Sequence, residues 1–152
     1  MLDVTLRDLR EEDEAFFAKW AQDKEFYNLI TINIPNPHYK MLIKVIEHKG
    51  KPIGEVDLVN VDLENKRAEL GIAVAPPYQN KGHGIVAASK MIALAFELGI
   101  HRIYGHVLAE NENALRCALK MGFQIEGVQK DAIFRDGEYK DVVVISLLNE
   151  GD

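Results

Sequence analysis

This chain predicts an α/β fold built on a mixed, mostly antiparallel sheet. Three observations lead there. Between Met41 and Ala75, short apolar runs are joined by turns of only a few residues, the pattern of an antiparallel meander. From Ile85 the apolar spacing changes from strand-like to helical. Beyond that, helices bounded by Asn and Gly alternate with strands to the end of the chain.

The elements follow in order. Leu2 to Leu6 (LDVTL) alternates and predicts a first strand. In REEDEAFFAKWAQDKEFYNLI, the acidic residues Glu11, Glu12, Asp13 and Glu14 favour a helix start through the macrodipole and predict a solvated first turn. Phe16, Phe17, Trp20, Phe26 and Ile30 form its apolar stripe, with a break into two helices expected near Asp23. TINIPNPHYK, with two prolines, is a loop. MLIKVIEH, PIGEVDLVNV and RAELGIAVA are strands separated by KGKP and DLENK. Ile85, Ala88, Ile92, Ala95 and Phe96 define a helix that Gly99 stops. IHRIYGHVLA is a strand, Asn111 caps ENALRCALKM, and Gly122 ends that helix. FQIEGVQKDAIF and KDVVVISLL close the chain as a hairpin through Asp136-Gly137. The order is β-α-β-β-β-α-β-α-β-β, and no repeat or linker divides residues 1–152, so a single domain is expected.

Composition narrows the function. An apolar share of 47% and a charged share of 28% are ordinary for a globular protein. A net charge of −6 argues against nucleic acid and suits cationic small molecules or peptide amines. Cys117 stands alone, which leaves no disulfide framework and no cysteine-based metal site; no metal is expected. With no signal peptide and no 18-residue apolar run, a cytoplasmic protein without membrane attachment is the expectation.

The stretch YQNKGHGI, from Tyr78 to Ile85, is richer than a connection requires. It lies where a strand ends and a helix begins, so first-turn N–H groups point outward without intrahelical partners. Removing Cβ at Gly82 and Gly84 lets a pyrophosphate approach that backbone, and Lys81 adds a positive charge. No Ser or Thr follows Lys81 to ligate Mg²⁺, which separates the loop from nucleoside-triphosphate binders.

Taken together, PIGEVDL, AELGIAVAPPYQNKGHG, LAENENALRCALKMGFQIEG and FRDGEYKDVVVISLL resemble the GNAT superfamily of acyl-coenzyme A N-acyltransferases. The likeness is best from Ile53 to Leu148, and closest in pattern to polyamine and ribosomal-protein N-terminal acetyltransferases. It implies the GNAT fold, with helices on both faces of the sheet and two strands splayed at a cofactor slot by a bulge beside Ala75. Acetyl-CoA would be the cosubstrate. The backbone of Gln79, Asn80, Lys81, Gly82, His83, Gly84 and Ile85 would hold its pyrophosphate, with the His83 side chain facing solvent. Ile72, Ala73 and Val74 would offer strand-edge groups to the pantetheine, and Asn111 would touch the same arm. The Val74 N–H would polarise the thioester carbonyl.

The implied reaction is acetyl transfer to a primary amine by direct attack. A lysine-like amine near 10.4 costs roughly 4.6 kcal/mol to deprotonate at pH 7, so a base matters. Glu69 stands where relatives often place a carboxylate acting through water. Glu55 and Asp57 alternate onto one face and are expected as surface residues, while His106 is expected to be structural. Many relatives carry a tyrosine acid where this chain has Ala118, and an additional helix where it has TINIPNPHYK. The shorter segment implies an open groove for an amine-bearing small molecule or a polypeptide N-terminus, or an acceptor shared across a homodimer. The alternative is an acyl-CoA-binding module or sensor without turnover.

Overall fold

The computed structural model describes residues 2–23 and 39–151. Its order follows the expected one: β1 (Thr5–Asp8), α1 (Glu14–Ala21), β2 (Lys40–His48), β3 (Lys51–Asp62), β4 (Arg67–Val74), α2 (His83–Glu97), β5 (Arg102–Leu108), α3 (Glu112–Lys120), β6 (Gln124–Arg135) and β7 (Glu138–Leu148). Seven strands form one sheet in the order β1-β2-β3-β4-β5-β7-β6. Every pairing is antiparallel except β4 with β5. The Phe26 and Ile30 positions of the predicted stripe, and the predicted loop at 31–38, lie outside the described residues.

Three hairpins join consecutive strands, and turn chemistry explains two of them. Lys49-Gly50 (φ 50° and 78°) and Asp136-Gly137 (φ 54° and 75°) both hold left-handed backbone at two successive residues, whose twist matches the flanking strands. The first strand departs from expectation. Its ladder runs Thr5↔Glu47 to Asp8↔Lys44 rather than over Leu2 to Leu6. Leu2 and Val4 are apolar because they pack into the core beside α2, not because they pair with β2.

Register decides which side chains share a face. Ile46, Val56, Leu58, Ala68, Val74 and Ile103 point to one side and bury against Ala87, Met91, Ile92 and Ala95 of α2. Ala118 of α3 joins the same core at 4% exposure. The opposite face carries Val45, Val59, Ala73 and Ala75, all at most 2% exposed. α1 is tied to that second face. Arg7 pairs in register with Val45 and so projects on its side. There its guanidinium grips Asp13, just before α1, through Nη1–Oδ2 at 2.8 Å and Nη2–Oδ1 at 2.7 Å. Arg7 also donates from Nε to Glu47, and the Arg10 N–H donates to Asp13 at 2.8 Å.

The acidic run is therefore not uniformly solvated. Glu11, Glu12 and Glu14 are exposed, whereas Asp13 is 1% exposed and ionically locked. A bidentate guanidinium offsets the desolvation of a carboxylate that burial alone would disfavour. No helix among the described residues is long and apolar enough to cross a membrane.

Breaking this lock leaves the part-buried Arg7 with Glu47 and the Asp8 carbonyl. Asp13→Ala should lower the unfolding free energy in urea by about 3 kcal/mol. A change below about 0.5 kcal/mol would rank the pair with exposed ones. Arg7 holds the Asp13 carboxyl below the usual carboxylate range. Its contribution is thus complete above the unfolded-state value and is lost as pH falls through the folded-state value.

Candidate active site

The sheet opens at one place. β4 and β5 run parallel and pair only at Arg67↔Arg102, Ala68↔Ile103 and Glu69↔Tyr104. Beyond Glu69 the two strands part while β4 continues to Val74 and β5 to Leu108. The expected bulge beside Ala75 is absent, since β4 pairs with β3 in unbroken register from Glu69 to Val74. The irregularity sits earlier and on β3, where the register shifts between Val59 and Asp62. Asn60, at φ 53°, occupies that shift.

Backbone alternation shows what the gap exposes. The Ala75 N–H donates to the Ile53 carbonyl at 2.8 Å. Antiparallel alternation then turns Glu69, Gly71 and Ala73 toward β3 and Leu70, Ile72 and Val74 toward β5. At the other end, Lys66 accepts from the N–H groups of His101 and Arg102, in the same alternation. Where β5 has moved off, Ile72 and Val74 face the gap without a strand partner. Of the three residues expected to offer strand-edge groups, Ala73 does not, because its polar groups are spent on β3. The Val74 carbonyl accepts from Gln79 Nε2 at 2.8 Å, which leaves its N–H directed into the gap.

The glycine loop adjoins this gap. Gly82 is the N-cap residue of α2, at φ 91° and with no side-chain cap. The first intrahelical bond runs from the Val86 N–H to the Gly82 carbonyl, so the N–H groups of His83, Gly84 and Ile85 have no partner within the helix. The two glycines differ. A Cβ on Gly82 would lie 3.0 Å from Leu2 Cδ1, on left-handed backbone, so the fold itself requires this glycine. A Cβ on Gly84 would meet only Ile72 Cδ1 and Val74 Cγ2 at 3.7 Å, ordinary contact. Nothing in the fold demands glycine at 84.

His83 is not solvent-facing. It is 3% exposed, its Nδ1 lies 3.1 Å from the Tyr78 carbonyl oxygen, and its ring meets His48 edge-on at 4.6 Å. It braces the loop from beneath, so His83→Ala is a structural change. Asn80, in left-handed backbone, is held by Asn113 Nδ2 at 2.8 Å. Lys81 is exposed, and Asn111 caps α3 by accepting from the Ala114 N–H at 3.1 Å.

On the second face, at the point where the strands part, ionisable groups converge. Glu69 is 3% exposed and receives bonds from Asn60 Nδ2 at 3.2 Å and His106 Nδ1 at 2.7 Å. Asp57 and Glu55 pair in register with Gly71 and Ala73, which puts both carboxylates on the same face as Glu69. They are part-buried rather than surface residues, and the Asp57 Oδ1 is buried with no hydrogen-bond partner among the described residues. Burial, then the charges of Glu55 and Glu69, push the Asp57 carboxyl up to about 7. Burial also raises Glu55. Hydrogen bonding to Glu69 raises His106 against the opposing effect of its burial. Sequence reading singled out Glu69, took His106 as structural without pairing the two, and did not single out Asn60. A Glu and a His on parallel neighbours come together only through register, and Asn60 gave no signal beyond its type.

Three comparisons with known proteins bear on this geometry. A model of the acetyltransferase (GNAT) family matches residues 6–123. The spermidine N(1)-acetyltransferase of Escherichia coli K12 is 34% identical over 100 residues, covering 65% of this chain and 54% of that protein. A putative ribosomal N-acetyltransferase of Bacillus subtilis 168 is 32% identical over 102 residues, covering 66% of this chain and 56% of that one. The alignments thus span little more than half the length of these curated relatives. The crystal structure of spermidine N-acetyltransferase from Vibrio cholerae in complex with CoA and spermine superimposes with a TM-score of 0.87 at 25% identity, over 96% of this chain and 95% of that one.

The carboxylate cluster makes a stability prediction independent of any ligand. Native Asp57 holds its proton more tightly than the unfolded chain does, so unfolding free energy falls as pH rises from about 4 to about 7. Asp57→Asn should therefore stabilise the protein at pH 8, on the order of 2 kcal/mol, and change little at pH 4. Equal shifts in melting temperature at both pH values would show that the group is not strained by charge.

Proposed function

Because the chain belongs to the GNAT acetyltransferase family, we propose that it transfers an acetyl group from acetyl-CoA to a primary amine of a cationic, polyamine-like acceptor. The observation that carries this is the parting of β4 from β5 immediately after Glu69 and Tyr104. It leaves Ile72 and Val74 edges in line with the uncapped start of α2.

The residues fit the cosubstrate in three places. The first-turn N–H groups of His83, Gly84 and Ile85 suit a pyrophosphate, with Lys81 close by. The gap-facing edges of Ile72 and Val74 suit an amide-bearing arm that adds itself as a strand. The Val74 N–H suits the thioester carbonyl, where it would stabilise oxygen charge as the amine attacks. On the opposite face, Glu69 and His106 supply a proton acceptor, while Glu55 and Asp57 supply negative charge for an acceptor that keeps a second ammonium.

A cationic acceptor also relieves the repulsion that strains Asp57, which favours a polyamine over a neutral amine. The polyamine named for the Escherichia coli and Vibrio cholerae proteins supports the same reading. A polypeptide N-terminus is the competing acceptor, because its ordinary value near 7.8 needs only about 1 kcal/mol to deprotonate at pH 7. With Cys117 half-buried and unpaired, a reducing, cytoplasmic setting suits the chain.

The missing tyrosine acid does not block this chemistry, because a thiolate leaves far more readily than an amine loses its proton. Ala118 is 4% exposed within the α2–α3 core. Ala118→Tyr would overpack it, so any loss of activity in that variant has to be read against its melting temperature.

The deciding measurement is product mass after incubation with acetyl-CoA and spermidine, spermine, a peptide with a free N-terminus, or an aminoglycoside. Acetylated polyamine with kcat/KM at least tenfold above the peptide is expected. The reverse order would assign a polypeptide acceptor, and CoA binding without any product would assign a sensor. Gly84→Val should weaken CoA binding roughly tenfold, about 1.4 kcal/mol, with an unchanged melting temperature. Full affinity in that variant would move the phosphate site elsewhere.

A further inference from the structure

We propose that His106, rather than Glu69, takes the amine proton, and that Glu69 is a positioning residue acting through the His106 ring. This rests on the acetyl-transfer reading above and names the base within it.

The geometry separates the two residues. The Glu69 side chain is 4% exposed, and each of its oxygens already accepts a hydrogen bond. A carboxylate so enclosed has no open route to a substrate amine. The His106 side chain is 25% exposed and stands on β5 two residues past the last β4–β5 pair. Opposite an anionic carboxylate at 2.7 Å, Nδ1 is the protonated nitrogen, and this assigns the lone pair to Nε2. Nε2 has no hydrogen-bond partner among the described residues. The Tyr104 ring stands edge-on to the imidazole at 6.0 Å and 87°, which limits its rotation.

Both contacts fix the ring with its basic nitrogen outward, the arrangement that general-base catalysis needs. The other charged groups on this face include Arg67 on β4, Glu55 and Asp57 on β3, Arg102 on β5 with its ion-pair partner Glu126 on β6, and the Arg7–Asp13–Glu47 set. From β7, the register partners Val144 and Ser146 add no charge.

The step balances without a further reagent. The neutral amine nitrogen attacks the carbonyl carbon of an acyl thioester, the C–N bond forms, and the C–S bond breaks. The sulfur leaves as thiolate with the bonding pair. The proton released from nitrogen passes to Nε2, making His106 an imidazolium that Glu69 stabilises. It returns to solvent through the exposed part of the ring.

Wild type, His106→Gln, Glu69→Gln and His106→Ala are compared by kcat/KM against pH with acetyl-CoA and spermidine, alongside NMR titration of the His106 ring. His106→Gln should lose about a hundredfold in kcat/KM and lack the limb in which activity rises with pH. Glu69→Gln should keep that limb but move it to lower pH, because the partner that raises His106 is gone, and the NMR titration should move with it. Added imidazole should restore part of the activity of His106→Ala and none of Glu69→Gln. A His106→Gln enzyme with wild-type rate and pH profile would overturn the assignment. So would Glu69→Gln losing its limb while His106 still titrates. No turnover by wild type on any amine, with CoA still bound, would defeat the transferase reading itself.

Discussion

Parallel pairing between β4 and β5 covers three residue pairs and stops at Glu69 and Tyr104, and the rest of the site hangs on that stop. A parallel ladder is stable only where both strands keep the same spacing, and here β4 stays with β3 through Val74 while β5 stays with β7 through Leu108. Each strand follows its antiparallel partner, so the sheet divides between them. The division leaves polar edges at Ile72 and Val74 that a folded protein would ordinarily satisfy with a neighbour. Under the acetyl-transfer proposal, an extended ligand with its own amide groups would replace that neighbour. The chain reversal after Val74 then brings the start of α2, with its outward N–H groups, to the same mouth.

Two buried ionic arrangements sit on one face of this sheet and serve different ends. Around Arg7 and Asp13 the charges balance, every polar atom of the carboxylate is engaged, and the result is a fixed anchor for α1. Around Glu69 the balance is incomplete. Three carboxylates face a single imidazole, and Asp57 is held near neutral pH by burial and by its neighbours. Such a cluster costs stability when empty and favours any cation that enters. Its place beside the gap between β4 and β5 sets strained electrostatics at the proposed site of chemistry rather than in the core.

Much of the architecture was legible in residue order alone. The change from alternation to helical spacing at Ile85, the Asn111 cap and the Asp136-Gly137 turn each depend on neighbours within a few positions, and all three stand where periodicity and turn chemistry put them. The glycine loop was legible as a loop leading into a helix, although local pattern could not tell Gly82, required by its own φ, from Gly84, on which the fold makes no such demand. Errors fell where an outcome needed a distant partner. Leu2 and Val4 alternate like a strand because α2 covers them, Asp13 looks like any acidic first-turn residue until Arg7 reaches it, and His83 is buried by His48 and Tyr78 from outside its own helix.

By itself, then, the amino-acid order determined the succession of strands and helices, the place of the glycine loop and the family resemblance, because each of these is written in short-range spacing. The tertiary structure decided which charges meet. That Glu69 lies behind His106, that Asn60 reaches Glu69 across a register shift, and that Ile72 and Val74 rather than Ala73 face the gap all follow from hydrogen-bond register between strands. Register is set by the packing of whole faces, and a slip of one residue would send every one of these side chains to the other side of the sheet.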